Sequence, residues 1–404
     1  MKQPEGAAVE PSIEGALDPP RAHGGPLCAG KLRTEPEDFV VEELLGFTPA
    51  GAGQHVLLKV RKRGANTQWI AGELARACGC SPRDVGYAGL KDRRAVTTQW
   101  FTVPQSRLSP GDWVGIRTGE YQVLEAHRHS RKLPRGALAG NRFVIRVRGT
   151  AIDDAAVAAR LAAIEARGVP NHFGPQRFGR GASNLKRLSE DAHSLEPAER
   201  GFMLSAARSL IFNAVLAERV RDGSWERLEA GDLANLDGRA SHFQVAAADE
   251  TLAERCSRLD IHPTGPLWGR GSPATGGRVL QLEQRVAAGL TRACELVARA
   301  GMEQERRSLR LAVRDLHWRR EVAAPAPDAT NGGVADAGLA DSGVMSAGAA
   351  DAGVTGAGSI AAGVTGSGLA DSVVLEFRLG RGAYATAVVR EIFALDADYE
   401  ESST

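Results

Sequence analysis

The stretch Gly86-Tyr-Ala-Gly-Leu-Lys-Asp-Arg-Arg-Ala-Val-Thr-Thr-Gln-Trp-Phe101 sets a polar turn, with Lys91 and Asp92 at its tip, between two apolar, strand-like pieces. A turn so placed can present one carboxylate at a cleft. The flanking Lys91, Arg93 and Arg94 favour the ionised form, which is the state a nucleophile or base requires. By itself a Lys-Asp-Arg turn is more often a solvent-facing loop, so the chemistry depends on what the rest of the chain supplies. Working outward, His55-Val-Leu-Leu-Lys-Val-Arg61 mixes alternation with an apolar run and predicts a strand, and Asn66 is placed to cap a helix carrying Trp69, Ile70 and Leu74 on one side. Further strands are predicted at Thr98–Val103, Tyr121–Glu125 and Phe143–Arg148.

The chain has 404 residues, of which 43% are hydrophobic, so two or three domains are expected and a small disulfide-stapled module is excluded. Its five cysteines, Cys28, Cys78, Cys80, Cys256 and Cys294, include no Cys-x-x-Cys pair and predict free thiols in a reducing compartment. No stretch reaches the apolar length a bilayer needs and the N-terminus has no apolar signal core, so a cytoplasmic protein without a membrane partner is expected. A net charge of +1 conceals a local asymmetry. From Ala126 through Ile152 there is no Asp or Glu, whereas His127, Arg128, His129, Arg131, Lys132, Arg135, Arg142, Arg146 and Arg148 all fall there. Such a run is either a solvated surface or a footprint for a polyanion, gripped through phosphate neutralisation.

Met1 to Pro26 is Pro-rich with few large apolar residues and is predicted to be a disordered leader, with structure beginning near Leu32. Asp153-Asp154 opens an Ala/Leu-rich helix to Arg167 that ends at Gly168-Val-Pro170. Residues 168–316 then show long helical patterns at Leu204–Val220 and Val279–Ala300, parted by turn-rich pieces such as His262-Pro-Thr-Gly-Pro266, and predict a mainly helical second domain. Between Ala323 and Ser372 the chain is almost all Ala, Gly, Asp, Ser and Val, with a ten-residue repeat marked by Gly333, Gly343, Gly353 and Gly363, which predicts a flexible insertion. Strand-like Val373–Leu379 and a helix over Thr386–Ala394 follow.

The turn at Asp92 resembles the signature of the TruD family of tRNA pseudouridine synthases, in which the Asp after Ala-Gly-x-Lys is the nucleophile. The likeness extends to Arg33-Thr-Glu-Pro-Glu-Asp-Phe-Val-Val-Glu42, Gly140-Asn-Arg-Phe143, Gly168-Val-Pro-Asn-His-Phe-Gly-Pro-Gln-Arg-Phe-Gly179, Leu204-Ser-Ala-Ala-Arg208 and Gly382-Ala-Tyr-Ala-Thr-Ala-Val-Val-Arg-Glu391. These segments run in family order from about Lys31 to Asp398. The resemblance implies an α+β fold: a pseudouridine-synthase-like mixed-sheet catalytic domain, formed by residues 27–167 and 373–404, interrupted by an inserted α-rich TRUD domain. It implies that Asp92 is catalytic and that Phe39, Asn141 and Tyr384 line a uridine pocket, with Phe143, Lys91 and Arg33 also at the substrate. Tyr384 stands where bacterial members carry Phe, and Arg33 where Lys occurs. On pattern alone Phe39 and Phe143 are core residues and Asn141 a turn residue. His172 has no second ligand at metal spacing and is predicted to pack rather than bind a metal, while Arg177 and Arg180 could touch RNA.

The implied reaction isomerises uridine to pseudouridine at position 13 of the tRNA D arm, without metal or organic cofactor and without an obligate protein partner. Asp92 could attack the sugar C1′ or take a proton from C2′, and both routes stay open. Two other readings use the same residues: a non-catalytic binder of structured RNA in which Asp92 only orders a turn, and an unrelated enzyme in which Lys91 forms a Schiff base. The repeat supplies almost no apolar surface to bury, so deleting residues 323–370 is expected to leave enzymatic turnover at the wild-type level in a steady-state assay.

Overall fold

The computed structural model describes Gly15 and residues 18–187, 195–239, 241–321 and 371–395. The first residues of the expected leader and nearly all of the Ala/Gly repeat lie outside the described residues. Seven strands come first: β1 (Cys28–Leu32), β2 (Phe39–Leu44), β3 (His55–Arg63), β4 (Gly86–Tyr87), β5 (Val96–Pro104), β6 (Tyr121–His129) and β7 (Gly140–Arg148). Helix α1 (Thr67–Cys78) follows β3, α2 (Pro110–Val114) precedes β6, and α3 (Asp154–Arg167) follows β7. As expected, the Asn66 side chain caps α1 by accepting from Gln68 N at 2.7 Å, and Asp153 caps α3.

The chain then leaves the sheet. It forms β8 (Val169–Pro170), α4 (Ser183–Lys186), α5 (Pro197–Arg221), β9 (Leu233–Leu236), β10 (His242–Gln244), α6 (Glu250–Ser257), β11 (Ile261–Leu267), α7 (Gly277–Gly289), α8 (Thr291–Arg299), β12 (Glu305–Ser308) and β13 (Arg310–Leu311). It returns as β14 (Arg314–Glu321), β15 (Ser372–Gly380), α9 (Ala385–Val389) and β16 (Phe393–Leu395). The main sheet runs β14-β15-β7-β2-β5-β3-β6, with β1 bridging β7 and β16, and β4 on β5. β2 is parallel to β5 while the other pairs along that path are antiparallel, so the sheet is mixed and the class is α+β.

Several expectations change. Residues 18–26 are not a disordered leader: Ala22 N and His23 N both donate to the Glu391 carboxylate at 2.9 and 3.1 Å, and Arg21 Nε donates to Arg390 O. Polar groups near the C-terminus hold this segment, which its own composition could not reveal. The second domain is α-rich as expected, but it also holds an antiparallel sheet, β10-β9-β11-β12. His262-Pro-Thr-Gly-Pro266, expected as a turn, is the buried core of β11, and a Cβ at Gly265 would press on Leu309 and Phe212. The Val279–Ala300 helix breaks at Leu290 into α7 and α8, and the C-terminal helix stops at Val389 so that β16 can pair parallel with β1.

One core joins β1, β2, β7, α3, β15 and α9, and a second joins α1 to β3, β5 and β6. Among the described residues no helix is long and apolar enough to cross a membrane, and all five cysteines carry free thiols. Phe377 on β15 is fully buried and stacks on Phe143 with ring centroids 5.5 Å apart. Truncating it removes that contact and opens a cavity, so Phe377→Ala is expected to lose about 3–5 kcal/mol of stability in urea unfolding.

Candidate active site

Strand register assembles the site. On β2 the buried positions are Phe39, Val41 and Glu43, and antiparallel pairing sets Glu43 opposite Asn141 and Val41 opposite Phe143 on β7. Because side chains alternate, these residues share one face of the sheet. Asn141 is therefore a strand residue rather than the expected turn residue, and Phe39 and Phe143 are at once core and site residues. The parallel β2–β5 pairing places the loop before β5, with Asp92 on it, at the same edge. Phe39, Val41, Asn141, Phe143 and Asp92 line a cavity of about 170 Å³, to which Tyr384 and Thr386 contribute from the start of α9 and Gln176 from the inserted segment.

Asp92 is neither entombed nor turned away, since its side chain is 39% exposed and lines the cavity. Arg33 Nη2 donates to Asp92 Oδ2 at 2.6 Å from a buried position, and its guanidinium lies 4.0 Å over the Phe39 ring. Arg33 reaches this pose with φ of 55°, in the left-handed region that a non-glycine residue enters only when its surroundings hold it there. Among the described residues nothing donates a hydrogen bond to Asp92 Oδ1, so one oxygen of this cavity-lining carboxylate is held and the other has no donor.

The backbone of the Asp92 loop is fastened at three points by buried polar groups. Gln99 Nε2 donates to Gly89 O, Lys91 N donates to Thr67 Oγ1 at 3.0 Å, and Lys62 Nζ donates to Asp92 O at 3.0 Å. Lys62 is 1% exposed and also donates to Ala65 O at 2.7 Å. Burial pulls its pKa down to about 8; the Asp92 charge opposes that shift and Lys91 adds to it. Neither Lys62 nor Glu43 was flagged by the sequence reading. Both sit in the buried register of a strand among apolar neighbours, Val56, Leu58 and Val60 for the lysine, Phe39 and Val41 for the glutamate, and a charge in such a register is the signal that could have found them.

Lys91 Nζ donates to Asn141 Oδ1 at 2.5 Å and lies 3.2 Å from Glu43 Oε2. Burial pushes the Glu43 carboxyl above the usual carboxylate range, and Lys91 beside it pulls the other way. A lysine held between a carboxylate and an amide fixes Asn141; it is not set up to attack a carbonyl. Tyr384 turns its hydroxyl to the inserted domain, where it accepts from Arg177 Nη2 at 2.6 Å, while Arg177 Nη1 donates to Ser205 Oγ on α5 at 2.9 Å. Arg177 is thus committed to protein partners instead of being held out for RNA, and the side chain of Arg180 lies outside the described residues. His172 is fully buried, and burial drives its pKa well below the usual value.

The basic stretch needs a larger correction. On β7, Arg142 pairs with Glu376 and Glu42, Arg146 with Glu321, and Arg148 with Asp38 at 2.7 Å. His127 meets Glu125 at 3.2 Å and His129 is buried against Phe47. Carboxylates distant in sequence neutralise the three β7 arginines, so that part of the run is structural. A wider cleft of about 520 Å³ adjoins the site at Ala383 and runs between the catalytic sheet and the inserted domain, with exposed Arg239 and Arg381 on its two walls.

Comparison with known proteins agrees with this architecture. The family model described as tRNA pseudouridine synthase D (TruD) matches residues 22–192 and 184–324. The chain is 41% identical over 390 residues to the tRNA pseudouridine synthase D of Methylococcus capsulatus, covering 96% of this chain and 97% of that protein. It is 44% identical over 323 residues to the protein of that name from Pseudomonas aeruginosa, covering 78% and 90%. A crystal structure assigned to TruD from Methanosarcina mazei shares the fold with a TM-score of 0.62 at 20% identity, covering 94% of this chain and 95% of that one. The chain belongs to the tRNA pseudouridine synthase D (TruD) family.

Proposed function

We propose that this protein isomerises a uridine of tRNA to pseudouridine at position 13 of the D arm, in the cytoplasm, with Asp92 as the catalytic carboxylate and no cofactor. Family membership supports the reaction, and the family resemblance of the sequence motifs supports the position. The observation that carries the assignment to residues is the half-exposed Asp92 carboxylate, held by Arg33 through one oxygen, in a cavity ringed by Phe39, Phe143, Asn141 and Tyr384. A cavity of about 170 Å³ suits one everted pyrimidine and not a base pair. Eversion costs a few kcal/mol, approximately, in lost stacking. Phe39 is buried with one face under Arg33, so the more accessible Tyr384 ring is the surface on which the base stacks.

In the reaction the C1′–N1 bond breaks, the uracil turns, C1′ bonds to C5, and the hydrogen lost from C5 is balanced by one gained at N1. Asp92 Oδ1 is placed either to bond C1′ or to accept a proton from C2′, and Arg33 stabilises the carboxylate without covering that oxygen. The fastened loop backbone limits the reorganisation needed at the reacting carbon.

The rival in which the protein only binds RNA separates cleanly. Asp92→Ala is expected to keep tRNA affinity in fluorescence anisotropy while pseudouridine formation, mapped by mass spectrometry, falls about a thousandfold or more; undiminished modification would exclude Asp92 as the catalytic group. Lys62 supplies a second prediction. Its ammonium loses a proton as pH rises through about 8, which replaces the charge-assisted hydrogen bond to Asp92 O with a weaker one from a neutral amine, so turnover is expected to fall with a midpoint near that pH. Between there and the ordinary lysine range the unfolded chain binds more protons than the folded one, so stability rises with pH over the same interval. A falling rate with an undiminished melting temperature, abolished in Lys62→Arg, is the expected pair of results.

A further inference from the structure

A groove of about 600 Å³, lined by residues of α1, of the segment from Pro82 to Tyr87 and of the loop after β6, is one that the chemistry above does not use. Arg83, Lys132 and Arg135 line it, no Asp or Glu does, and its floor is β4. Arg135 stacks 3.9 Å over the Tyr87 ring, and among the described residues none of the three cations is paired with a carboxylate. This contrasts with the arginines of β7, each held by an acidic partner.

The groove is rigid. Leu133 N donates to Thr102 Oγ1 at 2.8 Å, Gly136 N donates to Ala88 O at 2.7 Å, and Lys132 Nζ donates to Arg83 O. Gly86 is what lets the loop lie so close, since a Cβ there would collide with Thr102 Oγ1, Leu133 O and Lys132 Cγ. The loop bearing two of the cations is therefore bonded along the strand that leads to the reacting carboxylate. Tyr87 precedes Asp92 by five residues, which span at most about 17 Å.

We propose that this groove is a second RNA-backbone site, in which Arg83, Lys132 and Arg135 take phosphates of the tRNA segment next to the everted nucleotide. The proposal rests on the reading of the chain as a tRNA-modifying enzyme. Three cations without acidic partners, two of them on a fixed loop, suit a polyanion, and the contacts of Lys132 with Arg83 O and of Arg135 with Tyr87 spare part of the ordering cost that flexible lysines and arginines carry on binding. Tyr87 offers a ring face for a base if Arg135 swings to a phosphate.

The test is the triple variant Arg83→Gln, Lys132→Gln, Arg135→Gln in the full chain, set against Arg258→Gln, Arg270→Gln, Arg299→Gln, which removes the same charge from exposed ion pairs elsewhere. The groove variant is expected to weaken tRNA binding at least tenfold and to lower the slope of log K against log salt by about 2–3, because each phosphate contact contributes roughly 0.7–0.9. Its kcat/KM falls by a matching factor, while the single-turnover rate at saturating enzyme stays within about twofold of wild type. An unchanged slope, or an equal change in the control variant, would overturn the proposal. The two readings fail separately: a salt slope that drops with the groove residues, alongside an unsubstituted protein that makes no pseudouridine, would sink the catalytic reading and spare the groove.

Discussion

A buried ammonium bonded to the backbone carbonyl of Asp92 is the constraint on which the site depends. Lys62 must be desolvated to reach that carbonyl, and desolvating a lysine is costly unless its hydrogen-bonding capacity is used. Here two carbonyls take up two of its three donors, and Thr67 and Gln99 fasten the same loop one and three residues away. A carboxylate on a mobile turn would sample many directions. On this turn its direction is set by the interior of the small helix-on-sheet unit formed by α1, β3 and β5, and that unit's stability becomes a condition of catalysis.

The second determinant is register. Phe39, Glu43, Asn141 and Phe143 come to one face because β2 and β7 pair antiparallel without a break, and a slip of one residue would send all four to the opposite side. The Lys91–Glu43–Asn141 cluster gives that register a polar lock across two strands and the Asp92 loop. Tyr384 adds a link of another kind, because the arginine that holds its hydroxyl also reaches α5 of the inserted domain. A phenylalanine at that position could stack on a base equally well but could not make this link.

Much of this was legible in the sequence where the signal is local. The alternation in β3, β5 and β7, the Asn66 and Asp153 caps, and the motif around Asp92 each depend on neighbours within a few residues. What was not legible depends on partners far along the chain. Arg142, Arg146 and Arg148 look like an RNA footprint until strands β2, β14 and β15 bring Glu42, Glu321 and Glu376 to them, and Asp38, just before β2, joins as well. The segment from Asp18 to Pro26 looks too poor in apolar residues to fold until Glu391 captures its amides. Pro263 and Pro266 mark a turn by propensity, yet the neighbouring strands β9 and β12 and the packing at Gly265 impose an extended chain. Glu43 and Lys62 differ, for their signal was present as charges in a buried register and needed only to be weighed.

The placement of β15 bears on how the polypeptide is made. It lies between β7 and β14 and forms part of the same core as β2 and α3, yet it emerges from the ribosome more than two hundred residues after β7. Until then β7 presents a long open edge rich in valine and isoleucine, a template for pairing with another nascent chain. Arg142 and Arg146 of that strand, still without their late-arriving partners Glu376 and Glu321, would give the unfinished edge a positive charge that keeps two such edges apart. The residues that lock the finished sheet thus also act as guardians of the incomplete one.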